Sequence, residues 1–210
     1  MYPLFLNMNG RLAVVVGGGD TGRRKARALF DAGARVRLVC LEPCPADGTT
    51  GRLEWLCEPY RAEHLEGASI AIAAGPPEVN RLVVADAQER SIWVNAAGEP
   101  DSSDFILPAT IRHGDFVLAI GTGGAAPSLT QRVREQLEMA FDKAFGDWVA
   151  LLAELRPVVR ERIPDSERRS AIYHALSDWA WLEQIRTVGA DQVRFDMLSA
   201  IDRWANGRDG

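Results

Sequence analysis

Several classes of protein are excluded by what this sequence lacks. It has three cysteines among 210 residues, an odd number that does not indicate a disulfide framework. No apolar run approaches the ~18 residues that span a bilayer, and the first ten residues lack the basic start of a secretory signal. Lys and Arg number 24 against 29 Asp and Glu, whereas nucleic-acid binders usually show a basic excess. We therefore expect a cytoplasmic protein with no membrane or nucleic-acid partner.

The composition is that of a folded globular protein, with 47% hydrophobic and 25% charged residues. Between residues 11 and about 125, short apolar runs alternate with Gly- and Pro-rich breaks. These runs predict strands over residues 12–16, 35–41, 53–57, 69–74, 92–95 and 116–120, with helices over 21–32 and 78–88. Strands that alternate with helices at this spacing indicate βαβ units and a mostly parallel sheet.

Helical spacing dominates the chain after residue 127. It predicts amphipathic helices over residues 127–145, 147–160, 165–185 and 190–205, with Pro157 and Pro164 as breaks. Four of the six tryptophans lie in this part, at positions 148, 179, 181 and 204. We expect most of them to belong to a helical core, and the alternative is a wall for a flat aromatic ligand.

A glycine pattern lies between the first predicted strand and the first predicted helix. The pattern is Gly17-x-Gly19-x-x-Gly22, and Glu42 follows twenty residues after its last glycine. The first glycine permits a tight turn, the second lets the backbone approach a pyrophosphate, and the third lets helix and strand pack closely. The helix N-terminus then offers N–H groups and a positive dipole end to the phosphates. This arrangement predicts a dinucleotide site, and the alternative is a glycine-rich turn without a ligand.

Glu42 favours NAD over NADP, because a carboxylate accepts hydrogen bonds from a ribose hydroxyl and repels a ribose 2′-phosphate. The basic run Arg23, Arg24 and Lys25 opposes this preference, since it is able to neutralise an extra phosphate. The predicted cofactor is NAD. The residues predicted to bind it are Gly17, Gly18, Gly19, Asp20, Thr21, Gly22, Leu41 and Glu42.

Three stretches of the chain together resemble the precorrin-2 dehydrogenase family, which includes the N-terminal part of siroheme synthase. The first, residues 2–43, contains PLFLN and the turn GGGDTGRRK, similar to the family's Gly-Gly-Gly-x-Val-Ala-x-Arg-Lys. The second, residues 104–138, contains DFILPA and GTGGAAPSL. The third is VNRLVVADAQERSIWVN over residues 79–95. The resemblance covers about the first 145 residues.

The resemblance implies a Rossmann-type NAD-binding domain over residues 1–112, a dimerisation segment over 113–146 and a small all-helical domain over 147–210. It implies a homodimer that oxidises precorrin-2 to sirohydrochlorin with NAD as the hydride acceptor. In some members of the family the same cleft also inserts ferrous iron to make siroheme. By position, the resemblance assigns substrate binding to Arg112, His113, Thr122, Gly123, Gly124 and Arg132, with Arg134 as a further candidate. For the charged residues of this set, the alternative is a solvated surface charge.

One position departs from the family pattern. The family has an aspartate, with a role in proton transfer and metal insertion, in a Val-Asn-x-x-Asp-x-Pro loop. The matching stretch here runs from Val94 to Pro100, and Gly98 stands where the aspartate is expected. Glycine cannot take a proton, so Glu99 becomes the predicted catalytic residue. The alternatives are a non-catalytic tetrapyrrole-binding or carrier protein, and a metal chelatase that does not oxidise its substrate.

No metal site is predicted from the residues themselves. Cys40, Cys44, Cys57 and His64 lack the paired short spacings that are typical of zinc ligands.

Overall fold

The computed structural model describes residues 1–44 and 51–206. Chain contacts divide it into two compact units, residues 1–107 and 108–210. The described residues of the first unit form five strands, with one α-helix after the first strand and a second after the fourth. They are β1 (Leu12–Val16), α1 (Asp20–Asp31), β2 (Arg35–Cys40), β3 (Leu53–Cys57), β4 (Ala68–Ala73), α2 (Pro77–Glu89) and β5 (Trp93–Ala96), with short 3₁₀ turns at Ala62–Leu65 and Pro100–Ser102.

The five strands form one parallel sheet in the order β3-β2-β1-β4-β5. Successive side chains of a strand point to opposite faces, so the apolar runs of β1 and β2 supply both faces with core residues. One face buries Ala13, Val15, Val36 and Leu38 with Ala26 and Leu29 of α1. The other face buries Val14, Val16 and Val39 with Val83 and Ala87 of α2. The predicted βαβ architecture is confirmed.

A short extended segment after β5 covers the open edge of the sheet. Asp104 accepts a hydrogen bond from the Val94 N–H through its carboxylate (2.8 Å) and donates its own N–H to the Val94 carbonyl (2.8 Å). Ser103 accepts from the Ala96 N–H at 2.9 Å. These bonds satisfy backbone groups that an edge strand otherwise leaves unpaired.

The described part of the second unit begins with a β-hairpin and continues with five helices. The hairpin pairs β6 (Ala109–His113) with β7 (Phe116–Ile120) in antiparallel register. The helices are α3 (Pro127–Ala140), α4 (Lys143–Arg162), α5 (Ser166–Leu176), α6 (Trp179–Val188) and α7 (Ala190–Ala205). Their core contains Trp148, Leu155, Val159, Leu176, Leu182, Met197 and Ile201. Within residues 1–44 and 51–206, no helix is both long and apolar enough to cross a lipid bilayer.

The hairpin corrects one expectation, because strand 116–120 does not join the parallel sheet. Gly114 has a φ of +59° and makes a two-residue turn, so the chain reverses and His113 pairs with Phe116. Residues 109–113 were not expected to be a strand. They have no long apolar run, and only Ile111 of the segment is buried.

Helix boundaries differ from the predicted ones at three places. The helix predicted over 127–145 ends at Ala140, and a new helix starts after Asp142, whose carboxylate caps it. The helix predicted over 165–185 is likewise two helices, because Asp178 caps a second N-terminus. Pro157 does not end a helix. Leu155 and Val159 are buried on either side of it, and their packing outweighs the hydrogen bond that proline removes.

The tryptophans of the second unit lie mainly in or against its core. Trp148 is buried and donates its indole N–H to the Leu176 carbonyl. Trp181 and Trp204 pack against the core while partly buried, whereas Trp179 is exposed and touches the Trp148 ring. The boundaries at 112 and 146 and the separate dimerisation segment stay predictions.

Candidate functional site

The glycine turn lies where the strand order of the sheet changes direction. From β1 the chain proceeds through β2 and β3 to one side, and β4 and β5 lie on the other. In open parallel sheets, ligands bind outside the carboxyl ends of the strands at this point. Gly17 follows β1 there, donates its N–H to the Val39 carbonyl (2.8 Å) and lies next to Ala74 at the end of β4.

Packing requires glycine at three positions of the turn. Gly17 has a φ of +118°, and a Cβ there would lie 2.4 Å from the Ala74 carbonyl oxygen. A Cβ at Gly22 would lie 1.9 Å from the Gly17 carbonyl oxygen, so α1 packs against the turn too closely for any side chain. A Cβ at Gly18 would lie 2.8 Å from the Cβ of the buried Cys40 and 2.5 Å from Oε2 of Glu42.

Gly19 differs from these three because open space surrounds it. A Cβ at this position would meet no described atom within 4 Å, and the residue has an ordinary extended backbone (φ −68°, ψ 174°). Gly19 is the N-cap of α1, and among the described residues no side chain caps this N-terminus. The first-turn N–H groups of Asp20, Thr21 and Gly22 have no acceptor inside the helix, so they are the candidates to bind a pyrophosphate beside the open space at Gly19.

Glu42 and Leu41 extend the site from the end of β2. Both are exposed, and the Glu42 carboxylate lies over Gly18. The backbone of Glu42 is held in place because its carbonyl accepts the indole N–H of Trp55 at 3.0 Å. A carboxylate beside the turn fits an adenosine ribose, and the exposed Leu41 side chain offers an apolar surface. The residues present therefore fit a dinucleotide.

The three basic residues after the turn have different positions. Arg23 donates its Nε–H to the Gly18 carbonyl (2.5 Å), and its guanidinium lies 5.5 Å from the centre of the Trp55 ring. Lys25 instead donates to the Asn95 side-chain oxygen at 2.6 Å, and burial, with Arg24 nearby, lowers its pKa. The contact between Arg23 and Trp55 was not predicted from the sequence. The tryptophan in the predicted strand 53–57 was the signal that could have suggested it.

Glu99 follows β5 at the same edge of the sheet as the glycine turn. It is partly buried, and its carboxylate makes no hydrogen bond with any residue in the described ranges. Its backbone is fixed, because its N–H donates to Ala96 (3.1 Å) and its carbonyl accepts the Ser103 hydroxyl (3.0 Å). Gly98 beside it has a φ of +84° and open space around it.

The residues assigned to substrate binding lie in the second unit. Thr122, Gly123 and Gly124 form the loop before α3, and both glycines have positive φ. The Thr122 hydroxyl lies 2.9 Å from that of Thr130 and accepts the Ala126 N–H at 3.3 Å, so it organises the start of the helix. This loop leads into α3, and Arg132 lies on that helix. Arg134 lies on the same helix and forms an ion pair with Glu138 at 2.9 Å.

Two further residues of this set lie on the hairpin. Arg112 is exposed, as Arg132 is, and neither arginine forms a hydrogen bond or ion pair with a described residue. His113 is different, because its Nε2 is buried without a partner in the described chain. Gly146 packs against it so closely that a Cβ there would lie 2.4 Å from the His113 Cβ. Nε2 of His113 is thus turned away from solvent.

His64 and the cysteines form no metal-ligand cluster among the residues described. His64 is buried, accepts the Arg61 N–H through Nδ1 and lies 2.8 Å from Glu58 through Nε2. Cys40 and Cys57 occupy paired positions on β2 and β3. Burial raises the pKa of the Cys40 thiol.

Fold and turn together define a Rossmann-type dinucleotide-binding protein. Residues 4–109, half of the chain, match the model of a family described as "Putative NAD(P)-binding". The chain belongs to this NAD(P)-binding family.

Curated relatives confirm the resemblance that the motifs indicated. The chain is 35% identical over 208 residues to siroheme synthase 1 of Halorhodospira halophila, which covers 96% of this chain and 43% of that protein. It is also 35% identical over 204 residues to siroheme synthase of Chromobacterium violaceum, a match that covers 95% of this chain and 43% of that protein. The chain therefore spans about two fifths of the length of these relatives.

The fold is also found in a solved structure. The structure of SirC, precorrin-2 dehydrogenase, matches with a TM-score of 0.79 and 24% identity, over 97% of this chain and all of that one. The Rossmann-like fold with a helical C-terminal part is therefore confirmed.

Proposed function

We propose that this chain oxidises precorrin-2 to sirohydrochlorin with NAD, a step in siroheme synthesis. The observation that carries the proposal is the open space over Gly19 at the N-terminus of α1, beside Glu42. The relatives named siroheme synthase and the similar structure named precorrin-2 dehydrogenase support the choice of substrate.

The described residues would divide the binding of NAD between them. The N–H groups of Asp20, Thr21 and Gly22 bind the pyrophosphate, because nothing inside the helix accepts them. Glu42 accepts hydrogen bonds from the adenosine ribose, and Leu41 packs against the base. NAD supplies the hydride acceptor.

Glu99 is the proposed proton acceptor. A proton must leave the substrate when hydride does, and a general base typically contributes ~10²–10⁴-fold to such a step. The Glu99 carboxylate has no partner among the described residues, and its backbone is held by Ala96 and Ser103. It is therefore positioned at the carboxyl edge of the sheet with its oxygen atoms available.

Arg112 and Arg132 would bind the carboxylates of the substrate. Both are exposed and make no ion pair within the described chain, so their charges are available to an anion. Guanidinium groups bind carboxylates through two parallel hydrogen bonds. The loop of Thr122, Gly123 and Gly124 would contribute backbone N–H groups in the same unit. Ferrous iron would be a further substrate of the same protein.

One observation favours the alternative of a tetrapyrrole carrier, or of a chelatase without dehydrogenase activity. Gly98 stands at the position of the family's aspartate, and its φ of +84° is one that favours glycine. Space for a side chain is open there. Aspartate is among the few other residues that adopt such a φ.

The test is turnover of precorrin-2 by the full chain, followed by the absorbance of NADH and of sirohydrochlorin, with and without ferrous iron. If Glu99 accepts the proton, Glu99→Gln lowers turnover at least ~10²-fold and leaves NAD affinity within about twofold. The matched control is Glu66→Gln, an exposed carboxylate ahead of β4 at the opposite edge of the sheet.

The carrier alternative makes a different prediction in the same assay. The parent chain then shows no turnover, Glu99→Gln changes nothing, and precorrin-2 still binds. If Gly98→Asp raises turnover while Glu99→Gln does not lower it, the protein is a dehydrogenase but Glu99 is not its base.

A further inference from the structure

We infer that Arg23 and Trp55 form a binding site for the 2′-phosphate of NADP beside Glu42, so that Arg23 limits how strongly the chain rejects NADP. The inference rests on the proposed dinucleotide function and goes beyond it, because it assigns the choice between two dinucleotides to an opposed pair of charges.

Four contacts bring Arg23, Trp55 and Glu42 around Gly18. Arg23 donates to the Gly18 carbonyl, and its guanidinium lies 5.5 Å from the centre of the Trp55 ring. The indole N–H of Trp55 donates to the Glu42 carbonyl at 3.0 Å. The Glu42 carboxylate in turn lies over Gly18. A ribose bound by Glu42 would therefore carry its 2′ position next to the guanidinium.

The run Arg23-Arg24-Lys25 has three basic residues, and these contacts place Arg23 next to the expected position of the ribose. Lys25 is half-buried and bonded to Asn95 of β5, on the other side of β1. Arg24 is exposed and makes no hydrogen bond with a described residue. It thus has the same charge as Arg23 but lacks the contacts with Gly18 and Trp55.

The charge of Arg23 is available to an anion. The side chain is exposed, and none of the described carboxylates lies within ion-pair distance of it. The Trp55 ring and the Gly18 carbonyl hold the guanidinium in one place, which lowers the entropy lost on binding. Arginine in such a setting binds phosphate through two parallel hydrogen bonds. Glu42 opposes this with its negative charge, so the two residues act in opposite directions on NADP.

The experiment measures the dissociation constants of NAD and NADP for the full chain and four variants by calorimetry. The parent chain should prefer NAD. Glu42→Ala should reverse the preference in favour of NADP. Adding Arg23→Gln to Glu42→Ala should weaken NADP about tenfold and NAD less than twofold, because the lost charge-assisted bonds are made only to the 2′-phosphate.

Arg24→Gln in the Glu42→Ala background is the matched control, since it removes the same charge from the next residue. It should change NADP affinity less than twofold. Equal effects of Arg23→Gln and Arg24→Gln would overturn the inference and leave the dinucleotide site in place. A parent chain that binds neither NAD nor NADP would overturn the dinucleotide site itself. Trp55→Leu supplies a second test. It removes the ring that holds the Arg23 guanidinium in place, so it should also weaken NADP more than NAD.

Discussion

The glycines of the turn differ in what each one allows. Gly17, Gly18 and Gly22 are surrounded by backbone or side-chain atoms, so a side chain there would displace part of the fold. Gly19 has no such neighbour, and its φ is accessible to any residue. The protein thus does not need the space at Gly19 for its own packing, and we propose that a pyrophosphate approaches the backbone there.

This difference predicts opposite phenotypes for two substitutions. Gly19→Val should leave the fold intact at a cost of about 1 kcal/mol, the usual effect of losing a small N-cap residue, and should abolish measurable NAD binding. Gly22→Val should lower the free energy of unfolding by more than about 2 kcal/mol, because its side chain overlaps the Gly17 carbonyl.

Circular dichroism and urea unfolding measure the fold and stability of each variant, and NAD titration measures its affinity for the cofactor. Unchanged NAD affinity in a folded Gly19→Val protein would show that no pyrophosphate binds at this turn.

Asp142 determines at the level of elements where α3 ends and α4 begins. Its carboxylate accepts the Phe145 N–H at 3.1 Å and pairs with Arg186 of α6 at 3.0 Å. Arg186 also donates to the Ala140 carbonyl, at the last residue of α3. One arginine thus ties the helix break to α6.

We expect Asp142→Ala to destabilise the second unit by about 1–2 kcal/mol, of which the cap accounts for about 1 kcal/mol. Asp178→Ala is the control, because Asp178 caps α6 through the Ala180 N–H and pairs with none of the arginines that the structure describes. It should cost less. Urea unfolding followed by tryptophan fluorescence measures both, and equal losses would mean that Arg186 contributes nothing.

The same pair predicts a pH dependence. Burial raises the pKa of Asp142, but the hydrogen bonds from Arg186 and Phe145 outweigh burial and hold it below its ordinary value of 3.8. A carboxyl with a lowered folded-state pKa stabilises the protein above its unfolded pKa. The difference in stability between the parent and Asp142→Ala should therefore be constant near neutral pH and should shrink as the pH falls below about 4.

At the scale of the whole molecule, α3 is the α-helix of the described chain that has no buried residue of its own. Leu129 and Met139 are 55% and 67% exposed on it. An amphipathic helix in this state is stabilised when another surface covers its apolar side. The predicted dimerisation segment contains this helix, and a second copy of the chain is the partner that we expect.

Light scattering at micromolar concentration should then give about twice the chain mass. Leu129→Glu should shift the protein toward the monomer, because it places a charge in the covered surface. Leu82→Glu is the control, since Leu82 is equally exposed (59%) but lies on α2. A monomeric parent chain, or equal effects of the two substitutions, would refute the dimer through α3.

The sequence by itself determined the first unit and its glycine turn. β1, the turn and α1 are consecutive, and their apolar spacing, glycines and caps are local signals that act within a few residues. Glu42 was recognisable because its distance from the turn follows from the lengths of α1 and β2.

Only the tertiary structure decided which distant residues meet. Arg23 and Trp55 are far apart in sequence and become neighbours because β3 lies next to β2. Pro157 stays inside α4 because burial of Leu155 and Val159 outweighs a local signal for a break. The sequence indicates a surface position for His113, but Gly146 of α4 packs closely against it. Each of these outcomes depends on contacts between elements that are distant in sequence. A short stretch of the chain carries no information about the energy of such contacts.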